Sequence, residues 1–467
     1  MFFPNLAESI MIAAMVDTVS EETAEKESEQ PIGLLTYVLN YDDLSEDRSF
    51  MLPPIDARHF SYEMGRSVDG PPRYERDRVY LPDRYVSSKH ARIRRIGVAD
   101  HLQDLGSKHH TYVNGQQVED RALEDGDLIE VGHSLLCYRR VKPSLARMLF
   151  ERGDARLGLT RSLSPAVARL AFDLERIAVT DESVVLLGER GTDKEGIAKY
   201  VHGRSGRKAF TAVDCGAVTE TLFESEFFGH ERDAFPGAKR REGYLRSTDG
   251  GTLFLDEIGN MPVRSQEKLL RAIQVGMAIP VGSDKPSPFD IRWIAATNAD
   301  IFDEKQFRPD LRDRLANYVG RVPALRQRRE DFGILSAYIL RELQTPTKTI
   351  SKPAARYLFS NRWTGNIRAF ESTLRTAAIL AAGEPIELEH LGPLDANRGA
   401  SEAPPERVGL SSAARAPVVR PQIEQIRAAL RQTEGHQTRA ADLLNTTPRQ
   451  LYRWMKDLGL SIDEFRR

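Results

Sequence analysis

The sequence predicts three folded domains: an all-β sandwich, an α/β domain followed by helices, and a small all-α unit. Its 467 residues suit about three domains at roughly 150 residues each. Short β-like runs fill the first third of the chain, and strand patterns alternate with helical patterns in the middle. The last part is helical, and it follows a stretch rich in Ala, Pro, Ser and Arg that has no period.

Composition limits the function classes. Lys and Arg total 66 and Asp and Glu total 68, a formal net charge of −2, which excludes a polybasic protein but permits a local DNA-reading patch. Cys137 and Cys215 are far apart, so no zinc site or disulfide framework is predicted. The apolar run at 10–16 is too short to span a membrane and lacks the basic flank of a signal peptide. We therefore expect a cytoplasmic protein.

Changes in pattern set the predicted boundaries. They give a disordered tail at 1–30, a sandwich at 31–141, a linker with some helix character at 142–161, an α/β domain at 162–395, a second linker at 396–420 and a helical unit at 421–467. The β-like runs include 34–39, 79–81, 91–96, 111–113, 128–131 and 135–139.

A phosphate-binding loop is predicted at the start of the α/β domain. The buried-strand run VVLL at 184–187 leads into GERGTDKE at 188–195 and then into a helical pattern. In such a layout the backbone N–H groups and the helix N-terminus face phosphates. Lys194 would stand on the β/γ-phosphate side. An ordinary turn between a strand and a helix is the alternative explanation.

A second strand strengthens this prediction. GGTLFLDE at 250–257 is an apolar strand that ends in two carboxylates. Asp256 suits a Mg²⁺ ligand and Glu257 suits a base that polarises the attacking water, the two roles that phosphoryl transfer requires.

Six motifs now identify a family. They are residues 188–195, ESEFFGHERDAFPGA at 224–238, GGTLFLDEIGNMP at 250–262, RWIAATNAD at 292–300, FRPDLRDRL at 307–315 and WTGNIRAFE at 363–371. In this order they resemble the AAA+ domain of sigma-54-dependent bacterial enhancer-binding activators. The resemblance implies ATP and Mg²⁺ as ligands, a homo-oligomer (a hexameric ring or a dimer) and contact with sigma-54 RNA polymerase.

The resemblance also assigns roles to individual residues. It places nucleotide binding on Gly188, Gly191, Thr192, Lys194, Glu195, the first sensor Asn298 and the second sensor Arg368. It places catalysis on Asp256, which also holds the metal, on Glu257, and on Arg308 and Arg314, which reach the ATP of a neighbouring subunit.

Three departures from the family pattern bear on activity. Asp193 stands where the phosphate loop normally has Gly, so its carboxylate is expected to repel phosphate or to pair with Lys194. In the sigma-54-contacting GAFTGA loop, Asp233 replaces the first Gly and Pro236 replaces Thr. Asp214 replaces an Asn that restrains the catalytic Glu. Weak or absent ATP binding is therefore expected.

The C-terminal unit resembles the Fis-type helix-turn-helix that ends these activators. The resembling segments are TRAADLLN at 438–445 and TPRQLYRWMK at 447–456. Thr447 suits an N-cap and Pro448 the first helical position. The DNA contacts would then come from Arg449, Gln450 and Arg453 to bases and from Lys456 to phosphate. A helical interaction module is the alternative.

The β segment resembles a forkhead-associated (FHA) domain, a module that binds phosphothreonine peptides. The resemblance rests on Gly-Arg at 65–66, SSKH at 87–90, GSK at 106–108, Asn-Gly at 114–115 and LEDGD at 123–127. It implies phosphate contacts from Arg66, Ser87 and Lys108, whereas His90 would brace the loops. The family pattern Ser-x-Asn-Gly-Thr corresponds to SKHHT at 107–111, so the family's Asn is missing here. A scaffold that binds no phosphopeptide is the alternative.

Together these observations predict a cytoplasmic, DNA-binding transcription regulator. A phosphothreonine-containing protein would be sensed by the FHA domain, and the AAA+ domain would assemble with its acidic strand end intact and its phosphate loop degenerate. A fully active ATPase that remodels sigma-54 RNA polymerase remains the alternative. Whether the domain is an enzyme is left open.

Overall fold

The computed structural model describes residues 30–44, 49–55, 61–67, 70–152, 155–157, 160–343 and 349–392, together with 426, 427, 430 and 433. The chain divides into two compact units, Met1–Ala400 and Ser401–Arg467. Within the described residues, no helix combines the length and the apolar character that crossing a bilayer requires. The predicted tail at 1–30, apart from Gln30, lies outside the described residues.

The N-terminal domain is a sandwich of two six-stranded sheets, ordered β2-β1-β12-β11-β8-β9 and β10-β7-β6-β3-β5-β4. All six β-like runs lie within strands, so the predicted sandwich is confirmed. The bounds are β1 Ile32–Asn40, β2 Phe50–Met51, β3 Ser61–Arg66, β4 Arg73–Glu75, β5 Arg78–Leu81, β6 Ala91–Ile96, β7 Ala99–Asp104, β8 Thr111–Val113, β9 Gln116–Val118, β10 Asp120–Ala122, β11 Leu128–Val131 and β12 Ser134–Val141.

The core of the sandwich forms where the inward-facing side chains of both sheets meet. Tyr62 and Met64 of β3 are fully buried, and Glu63 between them is only partly covered. This alternation is typical of a strand with one face on the core. Ile93 of β6 and Ile129 of β11 belong to the same buried cluster, so the two sheets share one core.

The segment between the first two domains is folded. Helix α1 (Pro143–Arg152) precedes a two-stranded hairpin, β13 (Ala155–Leu157) and β14 (Thr160–Ser162). The sequence predicted a linker with helix character here and gave no sign of the hairpin.

The α/β domain has a five-stranded parallel sheet, ordered β16-β19-β22-β15-β23. The three central strands of this sheet are almost entirely buried, as expected where both faces are covered, whereas the two edge strands are mostly only partly covered. Their bounds are β15 Val184–Leu187, β16 Phe210–Asp214, β19 Thr252–Asp256, β22 Arg292–Thr297 and β23 Tyr318–Arg321. The parallel arrangement brings the carboxyl ends of all five strands to one edge, where the phosphate loop and the two acids lie.

Helices and short hairpins surround this sheet. The helices are α2 Pro165–Ala178, α3 Lys194–Arg204, α4 Glu220–Phe227, α5 Tyr244–Ser247, α6 Val263–Val275 and α7 Pro309–Leu315. The short strands pair as β17 (Gly229–His230) with β18 (Arg241–Glu242) and as β20 (Met277–Ala278) with β21 (Ser287–Pro288).

The helices predicted after the α/β sheet form the lid, which contains α8 (Phe332–Leu343), α9 (Lys352–Ser360) and α10 (Asn366–Ala381). The apolar core of the lid is continuous with the sandwich. Val38 and Tyr41 of the N-terminal sandwich, as well as Cys137, belong to the same buried cluster as Phe332 and Trp363 of the lid. The sandwich therefore supplies part of the core on which the lid is built.

Ion pairs border this shared core. Glu130 of β11, whose side chain is only 3% exposed, accepts from Arg356 at 2.8 Å and lies 3.2 Å from Lys352. Both cations also lie over the ring of Tyr112 in β8. On the other side, Arg139 pairs with the fully buried Glu330. A buried carboxylate needs such partners, because losing one of them would leave an uncompensated charge.

Candidate functional site

The phosphate loop connects β15 to α3. Gly191 has a φ of 75°, and a Cβ at this position would lie 2.2 Å from the carbonyl oxygen of Gly365 in the lid. Only glycine can combine this backbone with so close an approach. The hydroxyl of Thr192 is turned inward and donates to the carbonyl of Glu189 at 2.8 Å. The loop is thus shaped by its own backbone and by the lid.

Lys194 lies at the first position of α3. Its Nζ donates to the carbonyl oxygens of Gly188 at 2.8 Å and Glu189 at 3.1 Å. Burial lowers the pKa of Lys194, while the negative charges of Glu257 and Asp256 act in the opposite direction. The ammonium thus bonds to two carbonyl oxygens of the phosphate loop.

Two acids end β19 at the same edge. Burial raises the pKa of Asp256, and one of its carboxylate oxygens accepts the backbone N–H of Glu257 at 3.0 Å. Glu257 has left-handed backbone, with a φ of 50°, and its carboxylate lies 3.4 Å from Arg190 of the phosphate loop. Asp214 is the register partner of Asp256, and its charge also raises the pKa of Asp256. In this structure, Arg190 pairs with the predicted catalytic Glu, a contact that the sequence did not suggest.

The donor set at this edge suits Mg²⁺. Carboxylate oxygens are the ligands that this ion prefers, and it is usually held by one or two of them together with substrate phosphates. Asp256 offers such oxygens at the end of a buried strand, within electrostatic reach of Lys194. Asp256 is therefore the residue that would hold the ion.

The remaining predicted nucleotide and catalytic residues lie around this edge. Asn298 follows β22 directly, and it lines a cavity of about 570 Å³ with Gly188. Arg368 of α10 acts electrostatically on Lys194. Arg308 caps α7 and lies 3.5 Å from Asp310, whereas the exposed Arg314 forms no ion pair with any described residue. Glu195 pairs with Lys199 at 2.7 Å and so points along the helix surface.

The lid closes directly onto the phosphate loop. Asn366 donates through Nδ2 to Glu189 at 3.1 Å, and the N–H of Ile367 donates to the carbonyl of Gly191 at 2.9 Å. Arg326 also bonds to Glu189, at 2.8 Å, and this bond holds the pKa of Glu189 below its usual range. The sequence assigned no role to Asn366, although it lies inside the WTGNIRAFE motif.

Asp193 is the N-cap residue of α3 and has a φ of 74°. Its charge acts on Arg328, which is 7% exposed and donates to the carbonyl of Thr192 at 3.3 Å. Burial lowers the pKa of Arg328, and the carboxylates of Asp331 and Asp193 oppose that effect.

The loop expected to contact sigma-54 extends from the β17–β18 hairpin. The N–H of Asp233 donates to the carbonyl of Ala238 at 3.1 Å, which closes the loop. Asp233 has a φ of 64°, and its side chain is 83% exposed. Phe235 is 46% exposed, and its ring centroid lies 5.0 Å from that of His230. Pro236 lies between Phe235 and Gly237, on the exposed part of the loop.

Backbone bonds bring the three predicted phosphopeptide residues of the sandwich together. The N–H of Arg66 donates to the carbonyl of Ser87 at 3.0 Å, and the hydroxyl of Ser87 accepts the N–H of Lys108 at 3.1 Å. The side chains of Arg66 and Lys108 are exposed. His90 is buried, and its ring bonds to Ser87 N and His110 O. His90 therefore braces the loops, as expected.

Asp104 organises the loop that carries Lys108. Its carboxylate accepts the N–H groups of Gly106 at 2.9 Å and Ser107 at 2.8 Å, and the hydroxyls of Ser107 at 2.6 Å and Thr111 at 2.7 Å. Bonds to the charged form keep the pKa of Asp104 low although burial raises it. The sequence did not single out this residue.

The predicted DNA contacts Arg449, Gln450, Arg453 and Lys456 lie outside the described residues. Of the helical unit, Ile426 and Leu430 are described and are fully buried.

Comparison with known proteins assigns each segment to a domain family. Residues 62–132 match the FHA domain, 161–319 the sigma-54 interaction domain, 326–407 the AAA+ ATPase lid domain and 422–458 the Fis family of bacterial regulatory proteins. A phosphopeptide-binding module, an AAA+ domain and a DNA-binding unit in one chain define a multidomain transcription regulator.

Two relatives of known description are consistent with this class of protein. The transcriptional regulatory protein ZraR of Salmonella typhimurium is 39% identical over 307 residues, which are 64% of this chain and 68% of ZraR. The Nif-specific regulatory protein of Azotobacter vinelandii is 38% identical over 297 residues, 62% of this chain and 56% of that protein. The chain belongs to the sigma-54-dependent family of transcriptional regulators. It spans roughly half to two thirds of the length of these relatives.

A solved structure is similar to part of this chain. NtrX from Brucella abortus in complex with ATP is 28% identical, with 68% of this chain and 73% of that chain covered and a TM-score of 0.47.

Proposed function

We propose that this protein is a DNA-bound transcription regulator that responds to a phosphothreonine-containing protein and has a weakened nucleotide site. The observation that supports this most directly is the order of the domains: a phosphopeptide-type sandwich packed on the lid of an AAA+ domain, followed by a Fis-type helical unit. In this arrangement a protein ligand of the sandwich acts next to the part of the ATPase that covers the nucleotide.

The sensor proposal rests on the loop geometry of the sandwich. Arg66 and Lys108 present exposed positive charges on loops joined through Ser87, and a phosphate has three oxygens that accept charge-assisted hydrogen bonds. Arg66→Ala should abolish phosphothreonine-peptide binding while the fold is kept, because exposed substitutions are usually mild. The control is Arg73→Ala, which removes a nearby, half-exposed arginine that pairs with Glu75. A wild-type protein with no preference for phosphorylated over plain peptides would reduce the domain to a scaffold.

The output proposal concerns DNA. The Fis-type unit should bind a paired site as a dimer or a higher oligomer, with an affinity that falls steeply with salt. Arg449 and Arg453 should carry sequence preference, at about 1–3 kcal/mol for each bidentate base contact. Lys456→Ala should weaken all sequences alike, because a phosphate contact carries no sequence information. Competition binding to specific and random DNA at two salt concentrations separates these effects.

The nucleotide site is proposed to bind ATP weakly. Lys194 would meet the phosphates and Asp256 would hold Mg²⁺, but Asp193 adds a negative charge to the loop that must receive phosphates. Bound Mg²⁺ would neutralise phosphate charge and orient the reacting groups. Calorimetric titration of the unmodified chain with ATP tests this, and tight binding at micromolar nucleotide would contradict it.

A second candidate is the fully active ATPase that remodels sigma-54 RNA polymerase. The two acids at the end of β19 and the exposed Arg314 favour it, whereas Asp233 and Pro236 in the exposed loop favour regulation without sigma-54 contact. ATP turnover by the purified protein, followed by open-complex formation with sigma-54 polymerase, distinguishes the two.

A further inference from the structure

The first turn of α3 contains a close contact between the carboxylate of Asp193 and Gly196. A Cβ placed on Gly196 would lie 2.4 Å from one carboxylate oxygen of Asp193 and 2.6 Å from the other. Atoms that are not bonded do not come so close, so no residue with a side chain fits here unless Asp193 moves. The carboxylate therefore lies directly on the bare backbone of Gly196.

The charges of Asp193 and Lys194 have different surroundings. The charge of Asp193 acts on Arg328, which donates to the carbonyl of the neighbouring Thr192. The Nζ of Lys194 instead bonds to Gly188 and Glu189. The carboxylate of Asp193 therefore lies against Gly196 within electrostatic range of Arg328, and the Nζ of Lys194 bonds to the loop carbonyls.

We propose that Gly196 is a positioning residue that makes Asp193 compatible with nucleotide binding. Because Gly196 has no side chain, the carboxylate rests on the helix, within electrostatic range of Arg328, and stays out of the path of the phosphates. Repulsion between like charges weakens with distance and with a nearby opposite charge. The loop therefore keeps a weakened but real affinity for ATP. This inference rests on the proposed function, in which the domain binds nucleotide.

Gly196→Ala tests the proposal directly. The added methyl group occupies the place of the carboxylate, so Asp193 must adopt another rotamer and turn away from the helix, toward the N–H groups that would receive phosphate. Gly203→Ala is the matched control, because Gly203 lies in the same helix and a Cβ there has no neighbour within 4 Å. Both changes raise helix propensity equally, so thermal unfolding should report two folded proteins.

The readout is the equilibrium dissociation constant for ATP, measured by calorimetry on the full chain. We expect Gly196→Ala to weaken ATP binding at least tenfold relative to Gly203→Ala. In an Asp193→Gly background the same alanine should have no effect, because the carboxylate that it displaces is gone. A purely structural role for Gly196 would instead weaken binding in both backgrounds.

Three results would overturn the inference: equal ATP affinity of the Gly196→Ala and Gly203→Ala proteins, a loss that persists in the Asp193→Gly background, or no ATP binding by the unmodified chain. Failure of the weakened-site proposal looks different. In that case Asp193→Gly would not tighten binding, whereas the comparison of the two alanine variants would still stand.

Discussion

Two aspartates have the same left-handed backbone conformation but lie in very different surroundings. Asp193 in the phosphate loop and Asp233 in the exposed hairpin loop have φ angles of 74° and 64°, and each stands where the resembled motif has glycine. Asp193 is partly buried, its carboxylate lies against Gly196, and its charge acts on Arg328. The side chain of Asp233 is 83% exposed, and its neighbour Arg232 lies 3.8 Å away.

The comparison shows that replacing glycine does not have a single cost. Aspartate is among the few residues that tolerate left-handed backbone, so neither position loses its turn. What differs is the group that faces the carboxylate. At position 193 the negative charge would act on a ligand of the nucleotide site. At position 233 it would act on a protein that binds the exposed loop.

The largest expected effect comes from changing both loops at once. The unmodified protein should not drive open-complex formation by sigma-54 polymerase, because Pro236 lacks the threonine hydroxyl and Asp233 adds a charge to the loop. The triple change Pro236→Thr, Asp233→Gly, Asp193→Gly should move it toward ATP-dependent activation. Promoter opening in vitro is the measurement, and the double change at 233 and 236 alone is the control. Robust activation by the unmodified chain would instead support the second candidate function, the active ATPase that remodels sigma-54 RNA polymerase.

The arginines beside the two aspartates should differ strongly in their effect on stability. Arg328→Met should cost about 3–5 kcal/mol, because it leaves the buried Asp331, 3.8 Å away, without its cation. Arg232→Met should leave the urea midpoint unchanged, since its ion pair is exposed. Similar midpoints for the two variants would mean that Arg328 is not an essential partner of the buried carboxylates.

The smallest effect is expected from the single glycine substitutions. Asp193→Gly should tighten ATP binding by up to about two decades, because it removes a negative charge from the phosphate loop. Asp233→Gly should leave ATP affinity unchanged, because its carboxylate projects into solvent. Nucleotide titration of both variants decides the matter, and an equal gain in the two would indicate an effect of overall charge rather than of position.

Much of the fold could be predicted because apolar runs mark buried strands. β1, β11 and β12 read as strands from sequence alone, since their residues are almost all buried. Strands such as β7 (Ala99–Asp104) carry polar residues on the open face, and the hairpin β13–β14 is only three residues long on each side. Short or half-polar strands give little periodicity to detect.

The site was predictable where one motif carries it and unpredictable where the lid meets the loop. Lys194 and Asp256 could be named because strand, loop and acid follow a fixed order. Asn366, Arg326 and Arg328 are more than 130 residues away along the chain from the loop residues that they bond. The carboxylate of Asp193 lies against Gly196, a placement that the order of the motif does not give, so a pairing with Lys194 could be suggested from sequence but not decided.

The core shared by the sandwich and the lid limits how this regulator can be taken apart. Cys137 and Tyr41 belong to the same buried cluster as Trp363. Removing the sandwich would therefore expose apolar side chains of the lid to water. Glu130, Lys352 and Arg356 would lose their partners at the same cut. The sandwich therefore cannot be exchanged freely for another domain. A different phosphopeptide module could replace it only if it reproduced the surface on which α9 rests.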